Sequence, residues 1–199
     1  MAALNHFISG LGEKGLPFFK LLKKLGKFVW TAEADEAFQK LKKYMSTSPI
    51  LTPPEKHEQL LLYIAATTMV VSTAIVMERA EEGHVYKVQR PIYYISEVLS
   101  ESKAKYPHVQ NLLYAPLITS RKLRHCFDKH KVKVVSDFPL SDVLHNQDAI
   151  GRISKWLVKL GAQNIEFVSR KAIKSQVLAD FIAEWTKAQQ PTSTVILNH

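Results

Sequence analysis

The sequence predicts an α/β protein: a mixed five-stranded sheet flanked by helices and preceded by a helical appendage. Three observations predict it. Hydrophobic residues recur at helical spacing over the first fifty positions, then switch to strand-like runs after a proline-containing break at Leu51–His57. Three apolar or β-branched runs follow in close succession, which is the pattern of an antiparallel meander. Beyond them, helical stretches alternate with two further short β-branched runs, and that alternation brings later strands in parallel.

In the appendage, Leu4, Phe7, Ile8 and Leu11 predict a helix closed by Gly12 and Gly15. Pro17 suits the first position of a second helix, Phe18 to Leu25, ended by Gly26. Thr31 is placed to cap a third, with Phe38, Leu41 and Met45 as its buried stripe. Its first turn holds Glu33, Asp35 and Glu36, and Lys40, Lys42 and Lys43 lie nearer its end, as the helix dipole favours. Strands are expected at Gln59–Ala65, Thr68–Met77 and Val85–Ile95, with a turn at Glu81-Glu82-Gly83. A long helix from Tyr106 to Phe127 follows, kinked at Pro116 because proline removes a donor and crowds the preceding turn. Then come a strand at Lys131–Ser136, helices near Leu140–His145 and Ile153–Leu160, a strand at Ile165–Val168, and a last helix from Gln176 to Trp185. The domain reading is therefore 1–50 appendage, 51–58 linker, 59–186 sheet domain and 187–199 flexible tail.

Composition narrows the functional classes. The 199 residues are 46% hydrophobic, enough for a real core. No run of about 18 apolar residues exists to span a membrane, and no secretory signal pattern opens the sequence. One cysteine, Cys126, excludes an internal disulfide and fits an intracellular setting, cytoplasm or nucleus. The net charge of +9 points to nucleic acid, because cationic side chains near phosphate release condensed counterions. That charge is uneven. From Ser100 to Lys133, eight basic residues face only Glu101 and Asp128. Of these, Lys103, Lys105, Arg121, Lys122, Arg124, Lys129 and Lys131 are the candidate phosphate contacts; a solvated lysine-rich surface is the plainer alternative.

Several short motifs together resemble one family. Leu112 to Phe127, Val134-Val135-Ser136-Asp137, Gly151 to Trp156 and Val177-Leu178-Ala179-Asp180 are similar to the ribonuclease H domain of gypsy-type retrotransposon polyproteins. Phe7 to Leu11, Pro17 to Leu22 and Phe28-Val29-Trp30 resemble the thumb end of the polymerase in the same polyproteins. The resemblance covers nearly the whole chain, from about Leu4 to Trp185, and implies a ribonuclease-H-like fold.

It also implies an active site of four carboxylates holding two magnesium ions. The number has a physical reason. Two divalent cations about 4 Å apart repel by roughly 17 kcal/mol at an effective dielectric of 20, and clustered anionic oxygens must offset that. Carried over position by position, the first acid falls on Ala65 and the second on Leu112, with Gln110 nearby also uncharged. The third and fourth are present as Asp137 and Asp180. Two carboxylates leave at most one weakly held magnesium. Asp137 also suits a cap for the following short helix, and Asp180 a partly solvated helix position.

Other constellations are weaker. His125, Cys126, Asp128 and His130 match no zinc spacing and suit a solvated turn. There is no glycine-rich phosphate loop and no Asp-Asp pair for polymerisation. Trp30, Trp156 and Trp185 are expected in the core. The expected function is a non-catalytic connector domain of a retrotransposon reverse transcriptase, with no cofactor, no small-molecule substrate and no membrane. Its partners would be an RNA–DNA hybrid or other nucleic acid and the remainder of the polyprotein. The rival is a magnesium-dependent endoribonuclease rescued by a displaced acid such as Glu97 or Glu78.

Overall fold

The computed structural model describes residues 6–23, 28–47, 51–140, 143 and 151–169. Asp180, Trp185, the helix expected at 176–185 and the tail from 187 lie outside the described residues. So does most of the helix expected near 140–145, of which Leu140 and Val143 are helical.

Five strands form one sheet in the order β3-β2-β1-β4-β5, from β1 (Leu60–Ala66), β2 (Val70–Arg79), β3 (Val88–Val98), β4 (Val132–Ser136) and β5 (Ile165–Ser169). The first three pair antiparallel, while β4 joins β1 and β5 joins β4 in parallel. The sheet is mixed, as expected. The β2–β3 turn carries Gly83 at φ 82°, and His84 N–H donates to the Glu81 carbonyl at 3.1 Å. A left-handed third position is why glycine follows the two acids there. Pro91 sits in edge strand β3 beside a register shift, where a missing N–H costs no ladder bond.

The helix α5 (His108–Lys122) crosses β1 and β2 and also packs on α7 (Arg152–Gly161). It runs through Pro116 without ending. The interruption comes at Leu123 (φ −119°, ψ 43°), after which α6 (Arg124–Lys129) restarts the helix; a short α4 (Glu101–Ala104) precedes α5. Every residue from Asn111 to Ser120 is buried, because one side of α5 meets the sheet and another meets α7. The hydroxyls buried there pair locally. Thr119 Oγ1 contacts Thr73 Oγ1 at 2.9 Å and donates to the Ala115 carbonyl at 2.8 Å.

The other face of the sheet is covered from the N-terminal side. Residues 6–10 form turns, α1 is Leu11–Lys14, and Gly12 lies inside that helix. This corrects the helix expected to end at Gly12. Gly12 N–H donates to Ser96 Oγ at 2.9 Å, and Ser96 in turn contacts Ser72 Oγ at 2.7 Å. A Cβ at position 12 would come 2.5 Å from Ser96 Oγ, so glycine is needed for close approach to the sheet. The next helix, α2, spans Leu16–Lys23, which puts Pro17 at its second position and not its first.

Thr31 does cap α3 (Ala32–Thr47), accepting Ala34 N–H at 3.3 Å. The stripe differs from the expected one. Ala34 and Leu41 are buried, but Phe38 is 39% and Met45 48% exposed, because α3 packs through Leu41 against Ile8 and Leu11. The 51–58 segment is tied to the sheet. Thr52 N–H donates to the Pro91 carbonyl at 3.0 Å. The Arg79 guanidinium grips Glu58 at 2.6 and 2.9 Å and reaches the Pro53 carbonyl at 3.2 Å.

Candidate metal-site remnant and nucleic-acid interface

The parallel register pairs Leu60 with Val132 and Tyr63 with Val135. Continued by two residues, it sets Ala65 level with Asp137, at the end of the sheet where β1 exits and β4 leads into its loop. Asp137 is exposed, and the preceding Ser136 Oγ accepts the Phe138 N–H at 3.0 Å. The start of α5 lies beside this loop, with the His108 and Phe138 rings 5.3 Å apart. Leu112, in the first turns of α5, is 5% exposed and belongs to the main apolar core. The position that would carry the second acid thus holds a packed aliphatic chain.

Neither proposed substitute acid reaches Asp137. Glu97 is on β3, three strand spacings from β4, or about 14 Å across the sheet. Glu78 follows Met77, which pairs with Leu60, so it stands at the opposite end of the strands, about 20 Å along them. Its carboxylate accepts from Gln89 Nε2 at 2.8 Å. No three His, Cys, Asp or Glu side chains among the described residues gather as a metal cluster.

The His125–His130 group also disperses. His125 stacks edge-on to Tyr93, and Asp128 pairs with Arg124 at 3.3 Å. Cys126 and His130 are buried, which corrects the solvated turn expected there. His130 Nδ1 lies 2.9 Å from the Glu58 carbonyl oxygen, and burial pushes the Cys126 thiol up to about 11, so it stays protonated and inert. Trp156 is a core residue at 8% exposure, resting 5.6 Å from the Tyr114 ring. Trp30 is not. It is 47% exposed, in a surface cluster of rings with Phe18, Phe28 and Phe38.

The candidate phosphate contacts divide in two. Lys105, Arg121 and Lys129 are exposed and carry no ion pair among the described residues. The others are engaged: Arg124 with Asp128, Lys131 with Glu166 at 2.8 Å, and Lys103 and Lys122 both with Glu97, at 3.0 and 3.3 Å. Tyr114 Oη donates to the same Glu97 carboxylate at 2.7 Å and also contacts Lys103 Nζ, whose ammonium lies over its ring. Burial alone would raise the Glu97 pKa, but the Tyr114 hydroxyl and the two ammonium groups more than offset it and hold it below the ordinary value. Local sequence does not announce this cluster, because Glu97 lies on β3, Lys103 on α4, and Tyr114 and Lys122 on α5, so only the packing of the three elements brings them together.

Comparison with known proteins places the chain. The model of the RNase H-like domain found in reverse transcriptase matches residues 30–134, from just before α3 through most of β4. The chain belongs to this family. The retrovirus-related Pol polyprotein from transposon 297 of Drosophila melanogaster is 26% identical over 158 residues, 78% of this chain but 14% of that polyprotein. Among solved structures, the foamy viral protease–reverse transcriptase dRH in complex with double-stranded DNA superposes with a TM-score of 0.66. Identity is 18%, covering 86% of this chain and 30% of that one. The foamy viral protease–reverse transcriptase in complex with an RNA/DNA hybrid gives 0.65 at 18% identity, covering 85% and 23%. At such identity the likeness is one of fold. This chain is thus a retrotransposon reverse-transcriptase fragment with an RNase H-like domain, spanning a minor part of the relatives it matches. Among the described residues, no helix is long and apolar enough to cross a membrane.

A two-magnesium centre does not fit the residues present. Ala65 and Leu112 offer no side-chain oxygen, and Leu112 is 5% exposed within the main apolar core.

Proposed function

We propose that this RNase H-like domain is a non-catalytic structural module of its reverse transcriptase, resting against a nucleic-acid duplex through backbone phosphates. The observation that carries the first half is the pair Ala65, level with Asp137, and Leu112, buried in the core. The exposed cations Lys105, Arg121 and Lys129 support the second half, as do the duplexes bound by the foamy viral proteins of the same fold. On this reading, helices α1–α3 are the end of the polymerase thumb and the sheet domain is a connector. The rest of the polyprotein is then its natural partner. No resident metal is required.

The test is incubation of the full chain with an RNA–DNA hybrid in magnesium or manganese. No cleavage is expected. Cleavage that disappears in Asp137→Asn would establish the endoribonuclease reading instead. Binding of an uncut hybrid, followed by fluorescence anisotropy, should weaken steeply with salt. Replacing Lys105, Arg121 and Lys129 together by Gln should lower the salt slope by up to about 3. Absence of binding even at low salt rejects the contact with nucleic acid.

A further inference from the structure

We propose that Lys103 Nζ, Lys122 Nζ and Tyr114 Oη form a phosphate-binding site that the Glu97 carboxylate holds shut. This rests on the reading that the chain contacts a polynucleotide backbone. The three donors come from the short helix α4 after β3, the middle of α5 and its end, and they converge on one carboxylate. Oε1 of Glu97 takes Lys103 and Tyr114, and Oε2 takes Lys122 at 3.3 Å. A carboxylate has the charge and the acceptor geometry of a phosphate's two free oxygens, so a group of donors that cradles one can cradle the other.

The charge count favours exchange. Two ammonium groups face one carboxylate, leaving a net positive charge at a place where the side chains of Lys103, Lys122 and Glu97 remain 29%, 38% and 25% accessible. Lys105 lies two residues beyond Lys103, and Arg121 lies next to Lys122; both are exposed and without an ion pair among the described residues. Further exposed cations next to these lysines in the chain suit a repeating anion such as a polynucleotide backbone more than a single free phosphate. With Glu97 in place, two of the cations of the basic stretch are withheld. When it swings out, they are delivered together, so Glu97 sets how tightly the domain holds its duplex.

The experiment is hybrid binding by the full chain at low salt, read by anisotropy. Glu97→Gln keeps the size of the side chain and the oxygen that accepts the Tyr114 hydroxyl. It should tighten binding about tenfold and steepen the salt slope by up to about 2. Glu81→Gln removes the same charge at the far hairpin, where it pairs with Arg90, and should change affinity less than about twofold. Replacing Lys103 and Lys122 by Gln should cost the Glu97→Gln protein about tenfold and the parent chain about twofold or less. Equal costs in the two backgrounds overturn the proposal. If Glu97→Gln does not fold, a tenfold loss from the lysine pair in the parent chain overturns it by itself. Binding in inorganic phosphate should equal that in chloride at the same ionic strength; selective loss in phosphate would assign the site to the free ion and overturn the backbone reading. A parent chain that binds with a steep salt slope while Glu97→Gln binds no better sinks the latch alone. No binding by either sinks the latch and the nucleic-acid reading together.

Discussion

On one face of the sheet, α5 lies with every residue from Asn111 to Ser120 buried against β1, β2 and α7. On the other, α1 touches β2 and β3 over a short stretch in which Gly12 approaches Ser96 closely enough to share a hydrogen bond. The first contact is broad, apolar and built from long side chains, so its strength comes from area removed from water. The second is narrow, and its strength depends on how near two backbones come. A broad apolar contact loses stability roughly in proportion to the atoms removed. A close approach fails when a single methyl is added.

The largest effect should come from the broad face. Leu117 is 1% exposed within the main core, and Leu117→Ala should cost about 3–4 kcal/mol in urea unfolding, with the whole sheet domain losing stability. A cost below about 1 kcal/mol would mean that α5 is not packed as described. On the narrow face, Gly12→Ala should cost about 1–3 kcal/mol, since its Cβ would meet Ser96 Oγ at 2.5 Å and Val70 Cγ1 at 3.1 Å. It should also speed proteolysis of the α1–α2 segment. Adding Ser96→Ala removes the oxygen that the methyl meets, so the double variant should be less destabilised than the sum of the singles. Strict additivity would break the close-approach account.

The smallest effect should come from the charged staples at the sheet margin. The hydrogen bond from Arg79 is the main cause that lowers the Glu58 pKa, against burial, and Glu97 is lowered as well. Groups with depressed folded values contribute stability that is fully present above the unfolded carboxylate value, near about 4.3. That stability is lost as pH falls through the lower folded values. The unfolding midpoint should therefore be flat from neutral pH to about 5 and decline below about 4. Glu58→Gln should lower the neutral plateau slightly and make the acid decline shallower.

Much of this architecture was legible in residue order. The period switch after residue 57 located the meander, the glycine after two acids located its turn, and Thr31 announced its helix. Local chemistry decides these features, so local sequence records them. The misreadings share a different cause. Phe38, Met45 and Trp30 are apolar by type but face solvent, because whether an apolar residue is buried depends on what lies opposite it. Gly12 looked like a helix stop, yet it is a spacer set against Ser96, a partner 84 residues away.

The same division holds for the candidate site. Residue identity alone determined that Ala65 and Leu112 stand where acids were expected, and no packing can add an oxygen to either. It also determined the excess of cations between Ser100 and Lys133. Only the tertiary structure decided that Ala65 stands level with Asp137, that Glu97 and Glu78 stand too far from Asp137 to join it, and that Lys103 and Lys122 share one carboxylate. Side-chain chemistry is fixed residue by residue, but charge neutralisation acts across a few ångströms of space, and chain separation does not encode that distance.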